Sequence, residues 1–552
     1  MASPKPPTIQ LFLKPHFYAG EATLIDATVI FPHNVINAKS GPILIYDLFY
    51  ENVPCYVHTE RRVRGIDKMG SVPFIFVDVN KYRQDWRPGR DIVGDLKLEL
   101  QVFPRKVTKD TPIGPRMDIR ADGGGLIGAG AYFLPAIAKK GTYEFSVEWD
   151  LSLAPPGTRA VWTYGEGPRR QTHIGDQDTL RQTAYMVGPI KSYPAEPSTD
   201  SPPGFCATYW LGTLPDNLYA QRCFNTELFA KLSHTLGVPQ DTYRVFIRNA
   251  ATGYGGTSFS QSYVLDYDER ARSETASELQ RLFTHEMIQT TTISQQTSEE
   301  TAWFVEGLPA YLSAFLPYRY GLVEEDYVLT EINKTLSKYY SNPKARFSLD
   351  EALRATYTDW YLSVLIYSRG FTYLLLLDFR LRALSETYGV MTQSPLEDIA
   401  IEMLTRRRER QPFNMEVWFR ALQRWAGERI DYRKEWEYFH AGSLIDLTSA
   451  WLFSPHNPIV RRDLPVLVIG IDILPREGAQ YISGITRGSQ AELSGIERGD
   501  RIIGLQRADV CADLPDEPFW AVVDRGGKFK KIQWQPRSAT KVPAWTVESF
   551  QN

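Results

Sequence analysis

From the start of the chain to about residue 192, apolar and polar positions alternate in short runs. Examples are "ATLIDATVIF", "GPILIYDLFY", "DLKLELQVF" and "GTYEFSVEWDLSL", separated by Gly, Pro and Asn. A period of two with such breaks predicts antiparallel strands that bury one face, hence an all-β domain over 1–192. Within it "GGGLIG" (Gly123 to Gly128) satisfies G-x-G-x-x-G. No strand–turn–helix pattern surrounds it, so a turn is expected rather than a phosphate cradle. The stretch "YPAEPSTDSPPGF", 193–205, has the prolines and small polar residues of an extended linker.

From 206 to 455 the period lengthens. "TELFAKLSHTLGV" reads as a helix and "DTYRVFIRN" as a strand, while "ETASELQRLFTHEMIQ", "TAWFVEGLPAYLSAFL", "YLLLLDFRLRALSETYG" and "MEVWFRALQRWAG" read as helices. This is a mainly α domain with a small β portion. In the last segment, 456–552, "GAQYISGITRGSQAELSGIERGDRIIGLQ" gives a strand, a short helix beginning near Ser489, a turn and another strand. The expected fold class is multidomain α+β.

Composition narrows the function. The 552 residues suit three domains of ordinary size, and 43% hydrophobic with 13% aromatic residues indicates packed cores rather than disorder. A net charge of −3 with both signs interspersed gives no field for nucleic acid or an anionic membrane. Cys55, Cys206, Cys223 and Cys511 are far apart and form no C-x-x-C pair, so they read as reduced thiols. No signal-peptide stretch precedes Lys14 and Pro15, and no later run is read as a membrane span, so a cytoplasmic location is expected.

The chemistry concentrates in "RLFTHEMIQTTT", 281–292. Leu279, Leu282 and Phe283 form an apolar stripe whose next members are Glu286 and Met287, which predicts a buried Glu286. A carboxyl among apolar side chains is suited to carrying protons near neutral pH. His285 and Gln289, four apart, are expected to face one cavity. Downstream, Thr297 and Glu300 have capping-box spacing ahead of a helix carrying Glu306, and Pro309 predicts a kink or break there. Tyr367 is expected at the start of a strongly apolar helix. The aromatic residues Trp303, Phe304, Tyr311, Phe315, Tyr318 and Tyr320 would suit an apolar ligand, although core packing is their commoner use.

Two resemblances follow from these motifs. "GSQAELSGIERGD" resembles a PDZ domain, which implies that Ile469, Gly470 and Ile471 form a loop receiving a peptide C-terminal carboxylate. The four matches "GYGG" (Gly253 to Gly256), "HE" (His285, Glu286), "WFVEG" (Trp303 to Gly307) and "YSRGFTYLLLLDFRLR" (Tyr367 to Arg382) resemble the glycyl aminopeptidase family of zinc peptidases. That resemblance implies a β-rich N-terminal domain, a thermolysin-like catalytic domain and a C-terminal PDZ domain. It also implies His285 and Glu306 as zinc ligands, Glu286 as general base and Tyr367 as oxyanion stabiliser, with Gly255, Gly256, Ser258 and Gln289 lining the substrate site. The sequence departs from the family at Gln289, where a second histidine ligand would stand, and at Thr257, Ser258 and Phe259, where an acidic residue would hold a substrate amine. A carboxamide is a weak, neutral zinc ligand. His16, His33, His58, His173, His234, His440 and His456 show no ligand spacing that would replace it.

The expected function is therefore a metal-independent acid/base enzyme acting on a small organic molecule, with no cofactor. Two alternatives stand beside it: a zinc aminopeptidase with weakened metal binding, and a non-catalytic protein whose PDZ domain binds a peptide C-terminus. A structural hydrogen-bonded pair of His285 and Glu306 is the plain reading of those two residues.

Overall fold

The computed structural model describes residues 5–36, 41–59, 62–108, 111, 114–195, 202–251, 253–292, 301–356, 358–388, 394–409, 411–427, 431–448, 458–476 and 479–548. The chain forms two compact units, Met1–Thr290 and Thr291–Asn552. The centre of the expected linker, 196–201, and the Thr297–Glu300 cap lie outside the described residues.

In the first unit the alternating segments become strands. Thr8–Tyr18 shows strict alternation of buried and part-exposed positions through most of its length, placing Ile9, Leu11 and Leu13 in the core. It lies in a seven-stranded sheet between Glu21–Phe31, antiparallel, and Thr142–Trp149, parallel. The parallel pair corrects the expectation of a purely antiparallel domain; the long chain between the two strands leaves room for a crossover. Gly123 and Gly124, at φ +47° and +87°, make the hairpin turn between Arg120–Asp122 and Gly125–Ala129, so "GGGLIG" is a turn and a strand.

A mixed five-stranded sheet completes this unit, in the order Lys191–Tyr193, Cys206–Trp210, Tyr243–Asn249, Ser262–Tyr267, Gly255–Phe259. Cys206–Trp210 and Tyr243–Asn249 run parallel, joined through the helix Phe224–Thr235. Arg248, fully buried, ties this sheet to the rest of the unit by pairing with Asp266 and Asp118, and Arg120 bridges the same two carboxylates.

The second unit is mainly helical. Ala302–Arg319 continues through Pro309 and Pro317 as one helix, so the expected break near Glu306 does not occur. It packs on Trp360–Tyr388 through a glycine pair: a β-carbon on Gly307 would come 2.7 Å from Gly370 Cα, and one on Gly370 2.8 Å from Gly307 Cα. Trp360–Leu384 has a mean hydropathy of 1.3 over its apolar window, long and apolar enough to cross a membrane. This corrects the expectation that no run approaches a span. With 72% of that window buried in the protein, it is a core helix here.

Trp303, Phe304, Tyr311 and Phe315 are fully buried, and Trp303 packs its ring against Phe304, Tyr373, Trp418, Trp436 and Phe439. These four aromatics belong to the core. The C-terminal strands form a five-stranded antiparallel sheet in sequence order from Ile471–Arg476 to Lys528–Trp534, with its own small core of Leu467, Ile482, Phe519, Ala521 and Val523. Ser489 caps the short helix Gln490–Leu493, as its spacing predicts.

Candidate active site

The helix Ala276–Thr292 begins with a reciprocal cap: the Glu278 N–H donates to Thr275 Oγ1 and the Thr275 N–H to Glu278 Oε2. Its stripe of Leu279, Phe283 and Met287 is buried as its period demands, and Glu286 is carried inward with it, 5% exposed. Leu282 is only part-buried.

Glu286 meets the outermost strand, Gly255–Phe259. The Ser258 hydroxyl, itself buried, lies 2.8 Å from Glu286 Oε2, 2.9 Å from the Glu286 carbonyl and 3.4 Å from Gln289 Oε1. One hydroxyl proton can serve only one of these acceptors, and the carboxylate is nearest. Gly256 makes the contact sterically feasible: a β-carbon there would lie 2.3 Å from Glu286 Cδ and 2.5 Å from Oε1. The carboxyl group therefore rests directly on strand backbone. Tyr243 and Tyr263 stand nearby; burial raises both phenols well above their ordinary range and the charge of Glu286 adds to this, so they remain neutral donors. Their hydroxyls pair with Thr290 Oγ1 at 2.6 Å and Asn225 Oδ1 at 3.1 Å. His285 is buried next to Glu286 on the same helix.

In the second unit Glu306 is part-buried and immediately precedes Gly307 at the helix crossing. Tyr367, 36% exposed, lies one turn before Gly370, and the helix carrying it starts at Trp360. Tyr367 is thus two turns inside its helix, which corrects its expected place at the start. The apolar residues from Trp360 onward extend the helix N-terminally.

Among the described residues no group of three His, Cys, Asp or Glu side chains that could hold a metal ion is present, and Gln289 offers a neutral oxygen near the Ser258 hydroxyl.

The loop at Ile469 is engaged within the chain. The Ile469 N–H donates to the Tyr361 hydroxyl at 3.3 Å and its carbonyl accepts from Trp534 Nε1 at 2.9 Å. Gly470 has φ +85° and packs against Ser489 and Ala491, while Ile471 begins the outermost strand of the sheet.

Sequence reasoning missed Arg116. Its backbone N–H donates to Thr257 Oγ1 at 2.8 Å, and its guanidinium donates to the carbonyls of Gly256 and Tyr254, both at 3.3 Å. Nothing in the surrounding "PIGPRMDIR" marks this arginine out, since its partners lie some 140 residues further on.

Residues 278–372, which span nearly all of the helix of Glu286, the whole of that of Glu306 and the first turns of that of Tyr367 up to Thr372, match the model of the M61 glycyl aminopeptidase family. Over that segment, about a sixth of the chain, the sequence is similar to the glycyl aminopeptidase family. Among solved structures, this chain is similar to an aminopeptidase N family protein from Idiomarina loihiensis. The two share 14% identity and a TM-score of 0.65, with 98% of each chain covered, which shows a common fold. An M1 zinc metallopeptidase from Deinococcus radiodurans is 16% identical with a TM-score of 0.48, covering 80% of this chain and 94% of its own. No curated protein matches the chain.

Proposed function

We propose that this protein is an acid/base enzyme that transforms a small organic molecule at Glu286 without a metal. The observation that carries this reading is the seating of Glu286: a buried carboxyl held by the Ser258 hydroxyl and resting on the bare backbone of Gly256. Such a group is fixed in place, which is what proton transfer to or from a molecule bound beside it requires. In this reading His285, beside Glu286 on the same helix, orients the substrate or relays protons. Cyclisation, isomerisation, dehydration and hydrolysis all run on proton transfer of this kind, and the cytoplasm is the proposed location.

The family match favours a second reading, a zinc aminopeptidase with weakened metal binding. One experiment separates the two. Protein treated with EDTA is incubated with a cytosolic small-molecule extract, and consumption is followed by mass spectrometry beside Glu286→Gln. Consumption by the chelated native protein and not by the variant supports the proposal. Consumption that disappears on chelation and returns with one equivalent of zinc overturns it. For the C-terminal sheet we propose a PDZ domain whose peptide ligand has to displace Tyr361 from the Ile469 amide.

A further inference from the structure

Among the described residues the strand Gly255–Phe259 pairs only with Ser262–Tyr267, so its other edge is outermost in the sheet. Arg116 takes the carbonyls of Tyr254 and Gly256, two residues apart and therefore on one side of the strand. Those are the acceptors an extended peptide would use in adding to the sheet, and a guanidinium now occupies them.

Arg116 also lacks what its neighbours have. Arg105, Arg120 and Arg248 each pair with Asp118 or Asp266. Among the described residues Arg116 has no carboxylate partner, only two long bonds to neutral carbonyls. A part-buried guanidinium so placed retains both its charge and spare N–H donors.

The bare glycines put this cation within reach of Glu286. A β-carbon on Gly255 would lie 2.8 Å from Arg116 Nη2, and one on Gly256 would strike the Glu286 carboxyl. Successive residues face opposite sides of a strand, so Arg116 and Glu286 flank the glycine pair from its two faces.

We propose that Arg116 is the anion anchor of this site and that the substrate carries a carboxylate, held by the guanidinium while a neighbouring carbon or heteroatom faces Glu286. This rests on the acid/base reading of Glu286 and adds the substrate class to it. Threonine, serine and phenylalanine at 257–259 supply no charge that would oppose an anion there.

The test uses the full chain with 3-phenylpropanoate and its neutral carboxamide as probes, titrated by calorimetry and ligand-observed NMR. The native protein is expected to bind the acid about 10-fold or more tightly than the amide, the scale of a charge-assisted hydrogen bond. Arg116→Met should erase that preference while Arg116→Lys keeps part of it, with circular dichroism confirming that each variant is folded. Equal binding of acid and amide, binding of neither, or a preference that survives Arg116→Met overturns the proposal. Glu286-dependent, EDTA-resistant turnover alongside such a result would leave the acid/base reading standing and remove only the anionic substrate.

Discussion

Gly256 sets where the Glu286 carboxyl can be. A methyl group at this position would need the space of Cδ and Oε1, and the flexible end of Glu286 would swing aside before the strand moved. Gly256→Ala is therefore expected to lower turnover of the substrate found by the Glu286→Gln comparison by about 10²-fold, the scale of an ångström misplacement. Melting temperature should move by only a few degrees. Steady-state rates and a thermal melt of the same preparation check both halves. The burial of Glu286 was legible in the sequence because the helical period carries Leu279 and Phe283 directly onto it. Ser258 was legible only through the family resemblance. Arg116 was not legible: it lies in a connecting segment with no period, and its meaning comes from a strand that meets it only in the fold. The Thr275–Glu278 cap follows a T-x-x-E pattern that the sequence displays directly.

At the scale of elements, the crossing of Ala302–Arg319 with Trp360–Tyr388 has no side chain between Gly307 and Gly370. Gly370→Ala would push a methyl into Gly307 backbone, which cannot rotate away. Overpacking of this kind costs about 1–3 kcal/mol, and we expect a drop of several degrees in the melting of the Thr291–Asn552 unit. Hydrogen exchange across Ala302–Arg319 should rise in the same variant. The existence of both helices was evident from their apolar spacing, but their limits were not. Pro309 was expected to interrupt the first, yet the surrounding core of Trp303, Phe304 and Phe315 holds it together despite the missing N–H. The second begins earlier than its apolar run suggested, because Trp360 and Tyr361 pack on the core of the C-terminal sheet. That contact links elements distant in the sequence, and no local pattern announces it.

For the molecule as a whole, acid sensitivity should be concentrated in the Met1–Thr290 unit. Burial pushes His58 down to about 4, and His173, stacked on Tyr164, is likewise lowered to about 4 by burial. Between about pH 6.5 and 4 the unfolded chain takes up protons at these positions that the folded chain refuses. Stability thus falls as pH falls through this window, by up to about 3 kcal/mol for each residue. Burial works against ionisation of Asp118, but Arg248 and Arg120 outweigh it and hold this carboxyl below its usual range, so its contribution is lost only at still lower pH. Melts at pH 7 and pH 5 are expected to show a lower transition at pH 5 for this unit, and His58→Gln with His173→Phe to flatten the difference. The other unit contains a different hazard. Trp360–Leu384 is shielded by the helices around it, and its composition would satisfy a bilayer. Once its neighbours part, the chain exposes a rod of grease with no aqueous home, so the first opening of this half leads to clumping or to capture by detergent more readily than back to the native state.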